Sequence, residues 1–273
     1  MNSNSDGLSP NLKPFLGIGW NRALPSAFGF GNGIRPYPGR LNVPNMVGKP
    51  VLNEFSVEFW YKALSITGFS VGGIFIATDN TGSYHQITQS RNGAFGIRFM
   101  KGPGGTNSNT VVGNSTTEKF HFVLTFKNGV SNLYINAGDS VFSGTSSSGS
   151  VGNLSGVYSD YRIFYGDSDN NGSFSNFQST TFECDEFRVY SKALTPSEIA
   201  LNFNARIGEN PCVTEFLKLW YKFEQFESLD FSALQDNSDI RTGIRDLSGN
   251  NNHAQPIGMD TNPASPNYVL KPF

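Results

Sequence analysis

Residues 181–205, TFECDEFRVYSKALTPSEIALNFNA, constrain the fold more than any other stretch. From Phe182 to Tyr190, bulky and polar residues mix at the period of two that a sheet packed on one face requires. A complete helix start follows. Thr195 is placed as N-cap, Pro196 takes the first helical position, and Glu198 is spaced to reach back as a capping box. Leu194 and Ile199 have the spacing of a hydrophobic staple. Ile199, Ala200 and Phe203 give that helix an apolar face, and Gly208 is the expected stop. The reading is a short helix pinned to the end of a sheet strand.

The rest of the chain reads as strands and turns. In residues 55–62, FSVEFWYK, Phe55, Val57, Phe59 and Tyr61 share one face, and Ser56, Glu58, Trp60 and Lys62 share the other. Residues 72–77, 84–86, 95–100 and 161–165 are further strands. Residues 120–126 alternate cleanly and run into Asn128-Gly129, a hairpin signal because both residues accept positive φ. Residues 133–136 return. Residues 101–115 and 143–155 are polar or Ser/Gly-rich and are expected to be loops. Charged residues are only 15%, below the roughly 25% of an average domain, while Phe is heavily used (24 residues). Aromatic strands joined by Gly, Asn and Ser turns predict an all-β sandwich.

Several segments resemble the laminin-G-like jelly rolls of the concanavalin A-like lectin/glucanase superfamily. The closing segment matches through Asp185, Glu186, Phe187, Arg188, Val189 and Tyr190, then Ala193, Leu194, Thr195, Glu198 and Ile199. Phe28, Phe30 and Gly31 resemble the family's second strand, and Leu41, Val43 and Pro44 the segment after it. Residues 55–62 resemble its Phe-x-hydrophobic-Glu-Phe-Trp element. Residues 120–136 resemble its central hairpin, with Phe120 where the family has Trp and Ala137 where it has Gly. The resemblance implies a two-sheet antiparallel jelly-roll sandwich with one short helix, over residues 27–207. It also implies that Trp60 is packed inside rather than exposed to stack on a sugar.

The family's opening motif is displaced. Residues 216–223, FLKLWYKF, and residues 246–254, DLSGNNNHA, resemble it but follow the closing helix. Residues 208–273 are therefore expected to complete the chain's own sandwich, the alternative being donation to a neighbour. Residues 1–26 carry Phe15, Leu16, Ile18 and Trp20 among prolines and read as an extended arm that docks on another subunit.

The chemistry expected is passive. The paired strand carboxylates of the family's glucanases are missing; Glu183 and Asp185 share a face, but Asp185-Glu186 belongs to the non-catalytic closing motif. His85, His121 and His253 lie far apart in sequence, and His253 is assigned a structural turn role. No catalytic residue is expected, and no ligand-binding residue is assigned. Tyr84, Tyr158, Tyr161 and Tyr165 are candidate stacking rings for a glycan. Asp167, Asp169 and Asn171, with Gly172, match half of an oxygen-ligand calcium loop, so calcium is the one cofactor considered, against the alternative of a plain turn. Asn114, Asn153 and Asn171 stand in chance glycosylation sequons. Cys184 and Cys212 are read as reduced and buried, the alternative being a single disulfide between them.

A net charge of −2 argues against nucleic-acid binding. Arg35, Arg40 and Lys49 join Lys13 and Arg22 in a basic first 50 residues, read as scattered solvated charges. No apolar run approaches the ~20 residues of a membrane span, and the first ten residues lack the apolar core of a secretion signal. The expectation is a non-catalytic virion component of a tailed bacteriophage (capsid decoration, head-fibre or tail-fibre protein). Its partners would be other virion proteins or copies of itself, with a surface glycan as ligand. The alternative is an extracellular carbohydrate-binding or adhesin module of a secreted bacterial protein.

Overall fold

A computed structural model describes residues 32–34, 39–63, 72–89, 95–100, 108–112, 119–138, 140–145, 156–165, 182–205, 210–231 and 240–272. The 1–26 arm lies outside them. Two antiparallel sheets face each other. The eight-stranded sheet runs β10 (Ser140–Thr145), β9 (Val130–Ile135), β8 (Lys119–Lys127), β3 (Glu54–Ala63), β12 (Phe182–Tyr190), β1 (Asn32–Ile34) and β17 (Leu270–Pro272), with β13 (Leu217–Tyr221) also beside β12. The seven-stranded sheet runs β16 (Gln255–Ile257), β2 (Arg40–Asn42), β11 (Tyr158–Tyr165), β4 (Gly72–Asp79), β5 (Tyr84–Gln89), β6 (Phe95–Met100) and β7 (Ser108–Val112). A separate hairpin pairs β14 (Glu227–Asp230) with β15 (Ile240–Gly243). This is the all-β jelly-roll sandwich expected, with one helix, α1 (Pro196–Asn204).

Aromatic rings fill the space between the sheets. Phe59 stacks on Phe122 at 4.6 Å between centroids and on Phe187 at 5.7 Å. Phe55 meets Phe75, and Phe164 meets Phe187, across the gap between the sheets. Such offset pairs add about 0.5–1.5 kcal/mol each beyond the area they bury. Phe164 joins Ile163 in this core because its φ is +56°, a local break in the alternation of β11.

A second break lies in β12. Phe182 and Cys184 point into the core, and so do Phe187 and Val189, which is a slip of one residue in the alternation. Glu186 sits between them at φ +50°, and the pairing with β3 shifts between Asp185 and Arg188. This is a β-bulge, in which one extra residue re-aims the side chains that follow. The strict period of two read across Phe182–Tyr190 is corrected accordingly.

The helix begins as its sequence dictates. Thr195 Oγ1 accepts from the Glu198 backbone N–H (3.3 Å), and Glu198 Oε2 accepts from the Thr195 N–H (2.8 Å). Ser56 of β3 anchors the turn before it, donating to the Lys192 carbonyl and accepting from the Leu194 N–H, both at 2.8 Å. The helix therefore lies over the outer face of the eight-stranded sheet. Leu194, Ile199, Tyr190, Leu217 and Trp220 form a second small core there, and Trp60 stacks on Phe203 at 5.6 Å. Trp60 is packed inside, as the resemblance implied.

Two segments read as loops contain edge strands. β7 occupies part of residues 101–115, and β10 overlaps residues 143–155. Each pairs with one neighbour among the described residues, and their sequences, SNTVV and SVFSGT, show no apolar alternation to read. Cys184 is buried as expected, whereas Cys212 is exposed. Arg40 is likewise not a solvated charge: it is part of β2 and half-buried.

Candidate binding cleft

The eight-stranded sheet carries buried charge, part of it under α1 where Asn202 meets Glu58. Glu58, Glu183, Asp185 and Glu186 are each no more than 1% exposed. Glu58 receives His121 Nε2 at 2.7 Å and Asn202 Nδ2 at 2.9 Å, with Arg188 at 3.4 Å. Glu186 Oε2 accepts from Arg188 (2.6 Å) and from the Trp220 indole N–H (2.7 Å). Burial alone would push the Glu58 carboxyl up, but Arg188, His121 and Asn202 outweigh it and hold the group below its usual value. Burial, with the Glu186 charge next in size, pushes the Asp185 carboxyl well above the carboxylate range. Glu58 and Glu186 are both engaged by Arg188, and Glu183 stands 3.2 Å from the Lys62 ammonium.

The open polar cleft lies elsewhere, at the rim where the displaced segment returns. Its frame is the turn of residues 246–254. Asp246 Oδ1 accepts from the N–H groups of Trp220 (3.0 Å) and Ser248 (2.9 Å); Oδ2 accepts from the Asn252 N–H (2.9 Å) and Ser248 Oγ (2.8 Å). Asn250 and Asn252 side-chain amides bond the carbonyls of Leu217 and Lys218. Gly249 (φ +85°) and Asn251 (φ +58°) take the left-handed positions the turn needs. Beside it, Gly243 of β15 lies so close to its neighbours that a Cβ would stand 2.8 Å from the Phe231 ring and 3.0 Å from the Ala254 carbonyl.

Together with Asn45 these elements enclose a cleft of about 400 Å³, lined by Asn45, Ser228, Leu229, Asp230, Arg245, Asn251 and His253. Its polar groups are oriented from behind. Arg245 Nε donates to Glu227 Oε2 at 2.6 Å. His253 Nδ1 accepts from the Asp246 N–H at 3.0 Å, which leaves the proton of the neutral ring on Nε2. Burial lowers the His253 pKa, the pull of Asp246 notwithstanding, so the ring stays neutral. The cleft thus offers fixed donors from Arg245 and His253 beside acceptors from Asp230 and Ser228. A ring nitrogen that carries its proton is a poor metal ligand. Among the described residues no group of three His, Cys, Asp or Glu is placed to hold a metal.

The residues singled out in the sequence are distributed as follows. Asp167, Asp169 and Asn171, the calcium-loop candidates, lie outside the described residues, as do Asn114 and Asn153. Tyr84, Tyr158 and Tyr161 are buried and do not offer stacking rings, a correction; the side chain of Tyr165 is not among those described. Burial drives the Tyr158 and Tyr161 hydroxyls up. His85 lies against the Phe55 and Phe126 rings at 5.1 and 4.7 Å, and burial lowers its pKa to about 3. His253 does hold the turn, but it also faces the cleft. Asn45, Asp230 and Arg245 went unnoticed because they come from three separate segments and carry no motif.

The family model of the concanavalin A-like lectin/glucanases superfamily matches residues 39–200. The chain belongs to this superfamily. No curated protein matches the chain. Among solved structures, a Bacteroides ovatus protein assigned as carbohydrate-binding shares the fold at a TM-score of 0.53 and 16% identity, over 85% of this chain and 59% of that one. Botulinum neurotoxin type C, whose cell entry is described as dependent upon interaction with two ganglioside molecules, aligns at TM-score 0.44 and 13% identity, over 57% of this chain and 36% of that one. A heptameric SAP-like pentraxin from Limulus polyphemus aligns at 0.47 and 13%, over 79% and 93%. The chain therefore spans less than two thirds of each of the first two. Within this concanavalin A-like chain, the matched residues stop before β13, so of the cleft only Asn45 falls inside them.

Proposed function

We propose that the chain recognises a glycan without chemical turnover, and that the rim cleft receives a saccharide unit. The observation that carries this reading is the set of donors and acceptors around the cleft, with Arg245 held by Glu227 and His253 by the Asp246 N–H. The volume suits one or two sugar rings, and alternating donors and acceptors match vicinal hydroxyls. The assignment of the Bacteroides ovatus relative to carbohydrate binding supports it. A glycan array followed by calorimetry tests it. Asp230→Ala is expected to weaken the best saccharide by about tenfold, the worth of a charge-assisted hydrogen bond, with melting unchanged. Undiminished affinity in that variant, or an array without a binder, sinks the reading. Running the same titration with chelator reports on the calcium loop we propose at Asp167, Asp169 and Asn171.

The setting we propose is the surface of a virion, as a decoration or fibre protein; a secreted bacterial adhesin is the alternative. Support comes from the apolar residues Phe15, Leu16, Ile18 and Trp20 in the 1–26 arm, which suit attachment to a larger assembly. Sedimentation of cell lysate is expected to place the protein with a large particle, and removal of residues 1–26 to release it. A protein that sediments alone in both forms contradicts this setting.

A further inference from the structure

His253 lines the cleft beside Asn251 and Arg245, and its ring is tied down from one side. Nδ1 accepts from the Asp246 backbone N–H at 3.0 Å, and an amide N–H can only donate. The proton of the neutral ring is therefore on Nε2, which is the donor the ring offers to the cleft. The ring meets Phe231 edge to face, with centroids 6.4 Å apart and planes at 83°. The charged groups around it are Asp246 of its own turn, Arg245 just before that turn, and Glu227 and Asp230 of β14. Lys49 reaches the neighbouring Asn252 at 3.2 Å.

A second proton on this ring breaks the contact that seats it. It must go to Nδ1, where it would point at the Asp246 N–H: two donors 3.0 Å apart with no acceptor between them. The ring then has to turn away, and its Nε2–H leaves with it. The turn itself does not hang on the ring. The Asp246 carboxylate closes it through the N–H groups of Ser248 and Asn252 and fastens it to β13 through the Trp220 N–H. The movement is therefore confined to the ring and the amide it abandons. The proton balance has the matching sign. Burial lowers the ring's pKa first; Asp246 draws it back up, Arg245 lowers it again and Glu227 raises it, with a net fall from the ordinary 6.5. A seated ring thus holds a second proton less readily than a released one. Seating is fully favoured above 6.5 and is lost as pH falls through the lowered value.

We propose that His253 makes the cleft acid-labile: the neutral ring holds a saccharide hydroxyl oxygen, and the protonated ring lets it go. This rests on the glycan reading above, yet the ring can be followed with no sugar present, so the two fail separately. The chain has three histidines, so nitrogen NMR of the uniformly labelled full chain shows three ring systems, and His253→Gln identifies one of them by its loss. That ring is expected to carry its proton on Nε2 at about pH 7.5 and to gain a second one below the ordinary range of about 6.5, the Asp246 amide signal moving in the same step. Calorimetry with the strongest neutral saccharide of the array then runs from about pH 7.5 to about pH 5, above the range in which ordinary carboxylates take up protons. Affinity is expected to fall by up to about tenfold per pH unit once the ring is protonated. The His253→Gln amide can accept from the same N–H and donate into the cleft, but it has no proton to gain. That variant is expected to bind more weakly than the parent at neutral pH and to show a flat profile. A flat parent profile, or a fall shared by the glutamine variant, overturns the inference and leaves the cleft as a binding site. So does a neutral ring whose proton sits on Nδ1. Ring protonation coupled to the Asp246 amide, with no saccharide bound on the array, supports the ring movement and overturns the glycan reading.

Discussion

Replacing Arg188 with methionine is expected to destabilise the protein by about 3–5 kcal/mol, the usual cost of removing one partner from a buried ion pair. Methionine fills much of the volume, so the loss comes from charge. Glu58 and Glu186 would keep their burial and lose the guanidinium that both face. Arg188 is held charged for the complementary reason: burial opposes its proton, and Glu58 and Glu186 more than compensate. At this chain length the expected fall in melting temperature is on the order of 10 °C. A denaturant titration reads it directly. Adding Glu58→Gln and Glu186→Gln to the methionine variant is expected to recover a large part of the loss, since neutral amides can be buried with hydrogen bonds alone. A single variant within about 1 kcal/mol of the parent would show that the layer under α1 is solvated and not sealed.

Asp246→Ala is expected to cost roughly 3 kcal/mol and to weaken saccharide binding at the same time. The carboxylate closes four hydrogen bonds, three of them to backbone N–H groups, and two of those donors belong to the buried residues Trp220 and Asn252. Alanine leaves these donors without an acceptor, at about 1–3 kcal/mol for each buried group. The same turn positions His253 at the cleft, so affinity is expected to drop with stability. Asp230→Ala, in contrast, is expected to lower affinity alone. Limited proteolysis within residues 240–257 that is no faster in the Asp246 variant would contradict this account.

What the sequence disclosed was whatever is encoded locally. The capping box at Thr195 and Glu198 involves residues three apart, and both of its hydrogen bonds form. The strand containing Phe55, Val57, Phe59 and Tyr61 shows its core face by simple alternation, and all four are in the core. The bulge at Glu186 was hidden because a one-residue slip leaves apolar and polar residues still interleaved. β7 and β10 were hidden because their sequences, SNTVV and SVFSGT, lack the alternation of a strand packed on one face. Trp60 could be placed inside only through the family resemblance; its own polar-looking face gave the opposite impression, since Glu58 beside it is paired with Arg188 and hydrogen-bonded to His121 from other strands. The cleft was invisible for a similar reason. Asn45, Asp230 and His253 are joined by topology, through the rim turn and the β14–β15 hairpin, and no spacing rule connects them.

The edge formed by β1 and β17 has a mechanical consequence. Asn32 pairs with Pro272, Gly33 with Lys271 and Ile34 with Leu270, so residues 32 and 272 stand at the same end of a three-rung ladder. Tension that draws those two residues apart loads the rungs one after another, as in opening a zipper, and each yields at low force. The strands behind them, from β12 through β3 to β8, bear no load until that short ladder has parted.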